Sequence, residues 1–518
     1  VRERDVLRLL AIERDQLFAG NEAGPRYEAI AATFEIAITS GRLRLGERLP
    51  PIRRVAKDLG ASAATVMAAY DLLTRRGITR GEVGRGTYVV GLPSNASSGG
   101  RHAGGETGTG SMGSRLLMPA TVPWRRRTLS TSAARLRAAY PDASDCTSGR
   151  SDPALLPLDL MRRAWHTAVD EVHHTDLQYA GPEPLASLVQ QLLPRLTLDG
   201  VPAHAGDLIV GSSAQQLMVL AVQVVAALDG RGGIVIAVEE PGYPTAFDTF
   251  ERLGHRLVGF EVDEQGAIPT SLDAALAAGA AAVLFTPRAQ NPVGASWSVG
   301  RVAELADVLA AHQSVMVLED DQFAGIAGTR PGSLLADPRI EERVIYIRSF
   351  SKSIAPDMRI AIAVARPQLR SLIMEAKSFA DGWTSRLAQR ALAHLLASDA
   401  LEAPLAVARD AYAARRAAVA RAIADSHAPG CSAWSGADGV NVWVHLPPHV
   451  DADEVMERAA ALGVLVAPGE PFFIRPGRTD MVRLNAAAVS AERAAVVGRA
   501  LATAAAQAAQ APMTAISV

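Results

Sequence analysis

The sequence predicts an α/β protein in two unequal parts: a small, arginine-rich helical block at the N-terminus and a large domain on a buried, mostly parallel sheet. Three observations predict it. Residues 23–92 carry eleven basic against six acidic side chains, about +5, in a chain whose net charge is −2. Residues 91–115, GLPSNASSGGRHAGGETGTGSMGSR, are too poor in apolar side chains to fold. From about residue 141 onward, the short apolar runs DLIVG, GGIVIAVE, AAVLFTP, SVMVLEDD, RVIYIRSFS and RIAIAVA alternate with longer helical stretches. That is the pattern of buried parallel strands joined by helical crossovers. The expected domains are 23–92, a flexible linker over 93–140, and 141–505. Residues 1–22 read as a charged helical lead-in, and the Ala-rich end from residue 504 is expected to fray.

With 518 residues, 49% of them hydrophobic and 20% charged, the chain can bury a large core without covalent staples. A net charge near zero excludes a polyelectrolyte, so any nucleic-acid affinity must come from a local patch. The two cysteines, Cys146 and Cys431, have no paired metal spacing and form no disulfide framework, which suits a reducing cytosol. There is no run of eighteen apolar residues and no signal-type N-terminus, so the expected address is the cytoplasm, away from membranes. Only three lysines occur, Lys57, Lys352 and Lys377, so each neighbourhood carries information.

In the N-terminal block, Ile30, Phe34 and Ile38 give a first helix, Arg26 to about Ser40, one apolar face. Pro51 can open the next helix, whose first turn does not need its missing N–H; Gly60 ends it. Ser62 is an N-cap for a third helix, Ala63 to Arg76. Gly77 stops that helix, and ITRGEVGRGTYVV reads as a hairpin. With the words LPPIRRVAKDLG, SAATVMAAYDLL and GRGTYVV in this order, the block resembles the GntR-type winged helix-turn-helix. The resemblance implies double-stranded operator DNA as a partner, with the third helix in the major groove. Its implied contacts are Arg53, Ser62, Thr65, Arg85 and Gly86, the last two at the wing tip. Where the family often has a basic or polar pair after the N-cap, this chain has Ala63 and Ala64. Alanine cannot hydrogen-bond a base edge, although its methyl can touch thymine. A charged helical dimerisation module is the bland alternative.

In the large domain, IRSFSKSIAPDMRIAIAVA places Lys352 in a small-residue turn after a β-run, with Arg359 seven residues on and the hydroxyls of Ser349 and Ser351 beside it. An amine for a covalent adduct and a cation with donors for a phosphate are what pyridoxal phosphate (PLP) requires. The segment resembles the SxSKxxxPxxRxG-like element of fold-type I aminotransferases, with Ile360-Ala361 replacing the usual apolar-Gly pair. Further elements fit the same resemblance. LIVGSSAQQLMVL is similar to the phosphate-binding strand–turn–helix, implying Ala214 and Gln215 as backbone donors, with Ser213 in place of a common glycine. VEEPGYPTAF implies Tyr243 as the ring that stacks on the pyridine. FTPRAQNPVGASW resembles TPxxQNPTG and implies that Asn291 donates to the pyridine 3-oxygen. VMVLEDDQFAG resembles the EDDY element, so Asp320 is implied to pair with the protonated pyridine nitrogen. Gln322 stands where that family has tyrosine. MVRLNAAAV implies Arg483 as a bidentate carboxylate receptor. QYAGPEPLASL implies that Tyr179 reaches the partner subunit's site.

The resemblance spans about residues 145–490 and implies a large fold-type I PLP-dependent transferase-like domain with a small C-terminal α/β subdomain. Joined to the winged helix, it identifies the chain as a member of the MocR/GabR-type regulators. That membership implies a head-to-tail homodimer whose effector, an amine, an amino acid or PLP itself, shifts the DNA-binding heads. Two other readings stay open. One is a PLP-dependent aminotransferase with an appended DNA-binding domain, using Lys352 as acid and base; the absent tyrosine counts against it. The other is a large domain that has lost PLP and only dimerises, against which the Lys352, Asp320, Asn291 and Arg359 set counts.

Overall fold

The computed structural model describes residues 26–39, 43, 47–75, 78–82, 86–89, 123–230 and 232–510, in two compact units, Val1–Thr121 and Val122–Val518. The lead-in read over residues 1–22 lies outside the described residues.

In the first unit, α1 (Arg26–Thr39), α2 (Ile52–Leu59), α3 (Ala63–Arg75) and the antiparallel strands β1 (Thr79–Glu82) and β2 (Gly86–Val89) follow the order read from the sequence. Ile30, Phe34 and Ile38 are buried together with Val55, Leu59, Val66, Tyr70 and Leu73. The Tyr70 ring meets Phe34 edge-on at 5.4 Å while its hydroxyl donates to the Pro50 carbonyl at 2.7 Å, which satisfies both ends of the side chain. Gly60 closes α2 at φ 64°, a conformation that a Cβ disfavours. The Thr65 N–H donates to the Ser62 hydroxyl at 3.0 Å, which caps α3. Leu49 donates to Thr87 and Val89 to Glu47, so the segment before α2 pairs with the hairpin.

The second unit begins with α4 (Trp124–Ala139), inside the stretch expected to be linker. This corrects the linker reading over 124–139; residues 93–122 lie outside the described residues. α4 buries only Arg125, Ala133 and Leu136, so WRRRTLSTSAARLRAA carries too little apolar periodicity to announce a packed helix.

A three-layer domain follows. In chain order it comprises α5 (Leu158–Asp170), α6 (Ala186–Leu198), β3 (Leu208–Gly211), α7 (Ala214–Asp229), β4 (Val235–Glu240), α8 (Pro244–Arg252), β5 (Arg256–Asp263), β6 (Gly266–Ala267), α9 (Pro269–Ala277), β7 (Ala282–Phe285), α10 (Val299–Ala311), β8 (Met316–Asp321), β9 (Val344–Ser349), β10 (Ala361–Val364), α11 (Pro367–Ala380) and α12 (Arg386–Leu396). The strand order is β3-β10-β9-β8-β7-β4-β5-β6. The six apolar runs are β3, β4, β7, β8, β9 and β10. Five of them keep one direction, but β10 runs antiparallel to both neighbours. Only residues 350–360 separate it from β9, too few for the helical crossover that a parallel strand needs. One sheet face packs on α7, α8 and α11, the other on α5, α6, α9, α10 and α12.

The C-terminal subdomain consists of α13 (Glu402–Asp425), β11 (Ser432–Trp434), β12 (Asn441–His445), α14 (Ala452–Ala461), β13 (Ala467–Pro468), β14 (Met481–Asn485) and α15 (Ala491–Gln510). Its antiparallel sheet has the order β11-β12-β14-β13. The Ala-rich end does not fray at residue 504: α15 runs to Gln510, with Ala504, Ala505 and Ala508 buried. Small side chains allow this close packing, since a Cβ on Gly498 would lie 2.6 Å from the Val419 carbonyl oxygen on α13. Both cysteines are free thiols. Among the described residues, no single helix is long and apolar enough to cross a membrane.

Candidate functional site

β8 ends in Glu319-Asp320-Asp321, and the two-residue period of a strand sorts these carboxylates onto opposite faces. Val317 belongs to the α5/α6-side core and Leu318 to the α7-side core, so Asp320 shares its face with α7. Glu319 accepts from the Ser333 hydroxyl and from the Leu334 N–H at 2.7 Å. Asp321 accepts from the Tyr346 hydroxyl at 2.7 Å and pairs with Arg288 at 3.0 Å. Arg288 and Arg348 in turn share Asp199 at 3.1 and 2.8 Å. This buried network fixes the ends of β8 and β9.

Asp320 differs from Asp321 in having no cation paired with it among the described residues. One oxygen, Oδ2, accepts from the Gln322 amide at 2.7 Å, while Oδ1 is buried with no partner among the described residues. Burial pushes the carboxyl up to about 7; the Gln322 bond opposes this and the charge of Asp321 adds to it. A buried carboxylate oxygen without a partner is costly, so the site fits a ligand that brings an N–H donor to it.

The turn between β9 and β10 carries Lys352. Ser349 accepts from the Ser351 N–H at 3.2 Å, and Ser151 donates to the Lys352 carbonyl at 3.2 Å. The Lys352 ammonium donates to the Gly149 carbonyl. Burial, assisted by Arg483 and Arg150, pulls its amine down to about 8. A sizeable fraction is therefore neutral and nucleophilic near pH 7.5. Arg359 lies exposed in the same turn, at φ 52°.

Ser213, which stands where a glycine was expected, is extended and caps α7 by accepting from the Gln216 N–H at 3.1 Å. Ala214 and Gln215 are thereby the first two residues of α7, where N–H groups lack intrahelical acceptors and favour an anion. The Gln215 amide donates to Thr249 of α8 at 2.7 Å. Tyr243 caps α8, half-buried against the α7-side core; burial raises its hydroxyl pKa, with a further push from Asp320.

Asn291 Oδ1 accepts from Asn441 at 3.2 Å and from Arg483 at 3.5 Å, which leaves the amide nitrogen to donate. Arg483, on β14, is buried. It donates to the Thr147 carbonyl at 2.6 Å and lies 4.9 Å over the Phe472 ring. Its Nε has no partner among the described residues, and burial pulls the guanidinium down to about 10. A buried cation without an ion-pair partner among the described residues suits an incoming carboxylate.

Contacts and electrostatics thus bring together Lys352, Asp320, Tyr243, Asn291 and Arg483. Tyr179 is not among them: it is 91% exposed and meets Trp383 edge-on at 5.5 Å. Sequence reasoning missed Gln322 as the donor to Asp320, and it missed the Asp199–Arg288–Asp321–Arg348 network. A charged residue such as Arg288, set beside an apolar strand and between two prolines, was the available signal. In the first unit Arg53 and Ser62 are exposed and Thr65 is half-buried, with its hydroxyl 2.7 Å from that of Ser62. Ala63 and Ala64 are exposed, and Met67, also missed, is 52% exposed one turn further along α3. Arg85 lies outside the described residues; Gly86 opens β2 opposite Glu82.

An amine, a carboxylate with one free oxygen, an amide donor, an aromatic ring and a helix N-terminus are a donor set that fits PLP. Residues 155–501 match the aminotransferase class I and II family, and residues 26–89 match the bacterial regulatory proteins of the gntR family. The chain belongs to the aminotransferase class I and II family. This class I and II member carries a gntR-type head, the arrangement of MocR-type regulators. The vitamin B6 salvage pathway transcriptional repressor PtsJ of Salmonella typhimurium is 28% identical over 437 residues, 84% of this chain and 89% of that protein. The probable rhizopine catabolism regulatory protein MocR of Rhizobium meliloti is 27% identical over 397 residues, 76% of each chain. The α-aminoadipate aminotransferase LysN of Thermus thermophilus, solved with N-(5'-phosphopyridoxyl)-L-leucine, superposes with TM-score 0.64 at 25% identity, covering 75% of this chain and 98% of that one.

Proposed function

We propose that this chain is a PLP-binding transcriptional regulator. Its head binds double-stranded operator DNA, and its large unit senses an amine, an amino acid or PLP itself in the cytoplasm. The carrying observation is that one chain joins a gntR-type head to a buried site with an unpartnered carboxylate oxygen on Asp320 and a low-pKa lysine amine. PLP, when bound, supplies a carbonyl and an electron-withdrawing ring. Lys352 would hold the carbonyl carbon and could move a proton at the substrate α-carbon. Asp320 would hold the ring-nitrogen proton, Asn291 would donate to the 3-oxygen and Tyr243 would cover the ring. Ala214, Gln215, Ser349, Ser351 and Arg359 hold the phosphate. Arg483 receives an effector carboxylate.

On the head, Arg53, Ser62, Thr65, Arg85 and Gly86 contact DNA, and the apolar tip Ala63, Ala64 and Met67 is suited to thymine methyls. A head-to-tail homodimer is supported by the exposed Tyr179 together with exposed Leu158, Val169 and Leu177 in the same stretch of chain.

Lys352 and Arg483, which has no ion-pair partner among the described residues, also favour a second reading, turnover of amino acids. One experiment separates the two: a visible spectrum of the protein with amino acids and amines, run beside a keto-acid assay. A PLP band lost in Lys352→Ala, shifted by one ligand and without keto-acid release, supports the regulator. Steady keto-acid release makes the chain an aminotransferase first. No band after PLP addition refutes the site.

A further inference from the structure

The first turn of α4 is held in the large unit by Arg125, while Ala133 and Leu136 bury its later turns. Arg125, in its first turn, is 0% exposed and makes five hydrogen bonds. It donates to Asp248 at 3.1 Å and to both oxygens of Glu251 at 2.7 and 3.2 Å, all on α8. It also donates to the Phe473 carbonyl at 3.0 Å and to the Ile474 carbonyl. Its guanidinium lies 4.8 Å from the Trp124 ring centre and 5.3 Å from that of Phe247.

Both sets of acceptors lead to the site. α8 is the helix that Tyr243 caps. Residues 472–474 carry Phe472, the ring beneath Arg483. The two segments are also tied to each other: Gly242 donates to the Phe472 carbonyl at 2.8 Å, and Ile474 donates to Glu240 Oε1 at 2.7 Å. Trp443, the cross-strand neighbour of Arg483, packs edge-on against Phe472 at 5.5 Å. A planar fork with five donors can make all five of these bonds at once, whereas an ammonium has only three donors.

We propose that Arg125 is a positioning residue for this site: it fixes Tyr243 through α8 and Arg483 through Phe472, and it joins both to the chain segment that leads from the DNA-binding head. The inference rests on the regulator reading, because it makes the start of α4 the place where ligand binding is felt. A helix anchor with no other role would hold α4 equally well with the site full or empty. Here the anchor's acceptors lie on the helix that Tyr243 begins and on the loop that carries Phe472, so occupancy is expected to change how firmly α4 is held.

The test is hydrogen exchange on the full-length chain, free and with PLP, for wild type, Arg125→Met and Glu251→Gln. At about 100 times its Kd, PLP is expected to slow exchange by up to roughly 100-fold both in α8 and in the first turn of α4 of the wild type. In Arg125→Met, compared at a PLP concentration that saturates its own visible band, α8 stays slowed while the α4 turn returns to within about twofold of its ligand-free rate. Equal slowing of α4 in the variant overturns the proposal, as does an α4 that never responds in wild type. If Arg125→Met does not fold, Glu251→Gln decides, since it keeps the bonds to Asp248, Phe473 and Ile474: weaker slowing at α4 alone supports the proposal and unchanged slowing overturns it. A wild type without a PLP band overturns the regulator reading and this inference with it.

Discussion

Asp320→Asn should strengthen the PLP-free fold at high pH while weakening PLP binding. Asp320 is buried and its carboxyl is lifted from 3.8 to about 7. That lift corresponds to roughly 4 kcal/mol against the charged form at pH 8. The folded pKa is the raised one, so the unfolded chain binds fewer protons between the two values. Stability therefore falls as pH rises through that window and levels above about 7. Between pH 5 and 8 the wild type loses roughly 3 kcal/mol from this group. Asparagine does not titrate; its oxygen can keep the Gln322 bond, but its NH2 then lies where Oδ1 is unpartnered, at a cost of about 1–3 kcal/mol. The variant should match wild type within about 1 kcal/mol at pH 5 and exceed it by roughly 2 at pH 8. Urea unfolding of PLP-free protein at the two pH values measures the difference, and the other buried carboxylates cancel between the two proteins. The same change removes a charged acceptor worth about 1.5–3 kcal/mol, so PLP should bind roughly 10- to 100-fold more weakly. A stability gap that is independent of pH, or a variant less stable at pH 8 than at pH 5 relative to wild type, would refute the reasoning.

Three further outcomes are expected. The rate of PLP capture, followed at the visible band, should rise about tenfold per pH unit toward 8 and level above it, because burial holds Lys352 near 8 and only the neutral amine attacks; a rate flat from about pH 6 to 9 counts against that role. Arg483→Ala should weaken amino-acid binding roughly 10- to 100-fold while leaving amines without a carboxylate nearly unchanged, read by titration of the band. Arg53→Ala should lower the slope of log affinity against log salt by about 1, equally on different DNA sequences, in a binding assay over a salt series.

The head was legible almost residue by residue because each boundary has a local cause: the Ile30–Phe34–Ile38 face, Gly60 in the left-handed region and the Ser62 cap. The six strand runs were legible because strands buried on both faces are continuously apolar. The direction of β10 was not, since it depends on the length of the loop before it rather than on its own residues. α4 was hidden for a related reason. Its first turn is attached by a buried arginine, and a sequence pattern weights arginine toward solvent. Lys352, Asp320, Asn291 and Arg483 stood out because each sits in a short sequence element, on or after a strand, and the elements come in a known order. Gln322 could be read only as a missing tyrosine, because its partner is set by the shape of the β8 exit.

That partner bears on what the site does. The Gln322 amide already bonds one oxygen of Asp320 and works against the burial that raises its pKa. A carboxylate with a neutral donor in place is less basic than one without, so it holds a proton on a bound ring nitrogen less firmly. Binding requires only that the free Oδ1 meet a donor, which the site provides for. Sustained turnover requires the ring to remain a strong electron sink through every proton transfer. The same amide that makes the carboxylate tolerable when PLP is absent therefore tempers it when PLP is present. That combination costs a catalyst more than it costs a sensor, whose output is the difference in free energy between filled and empty states.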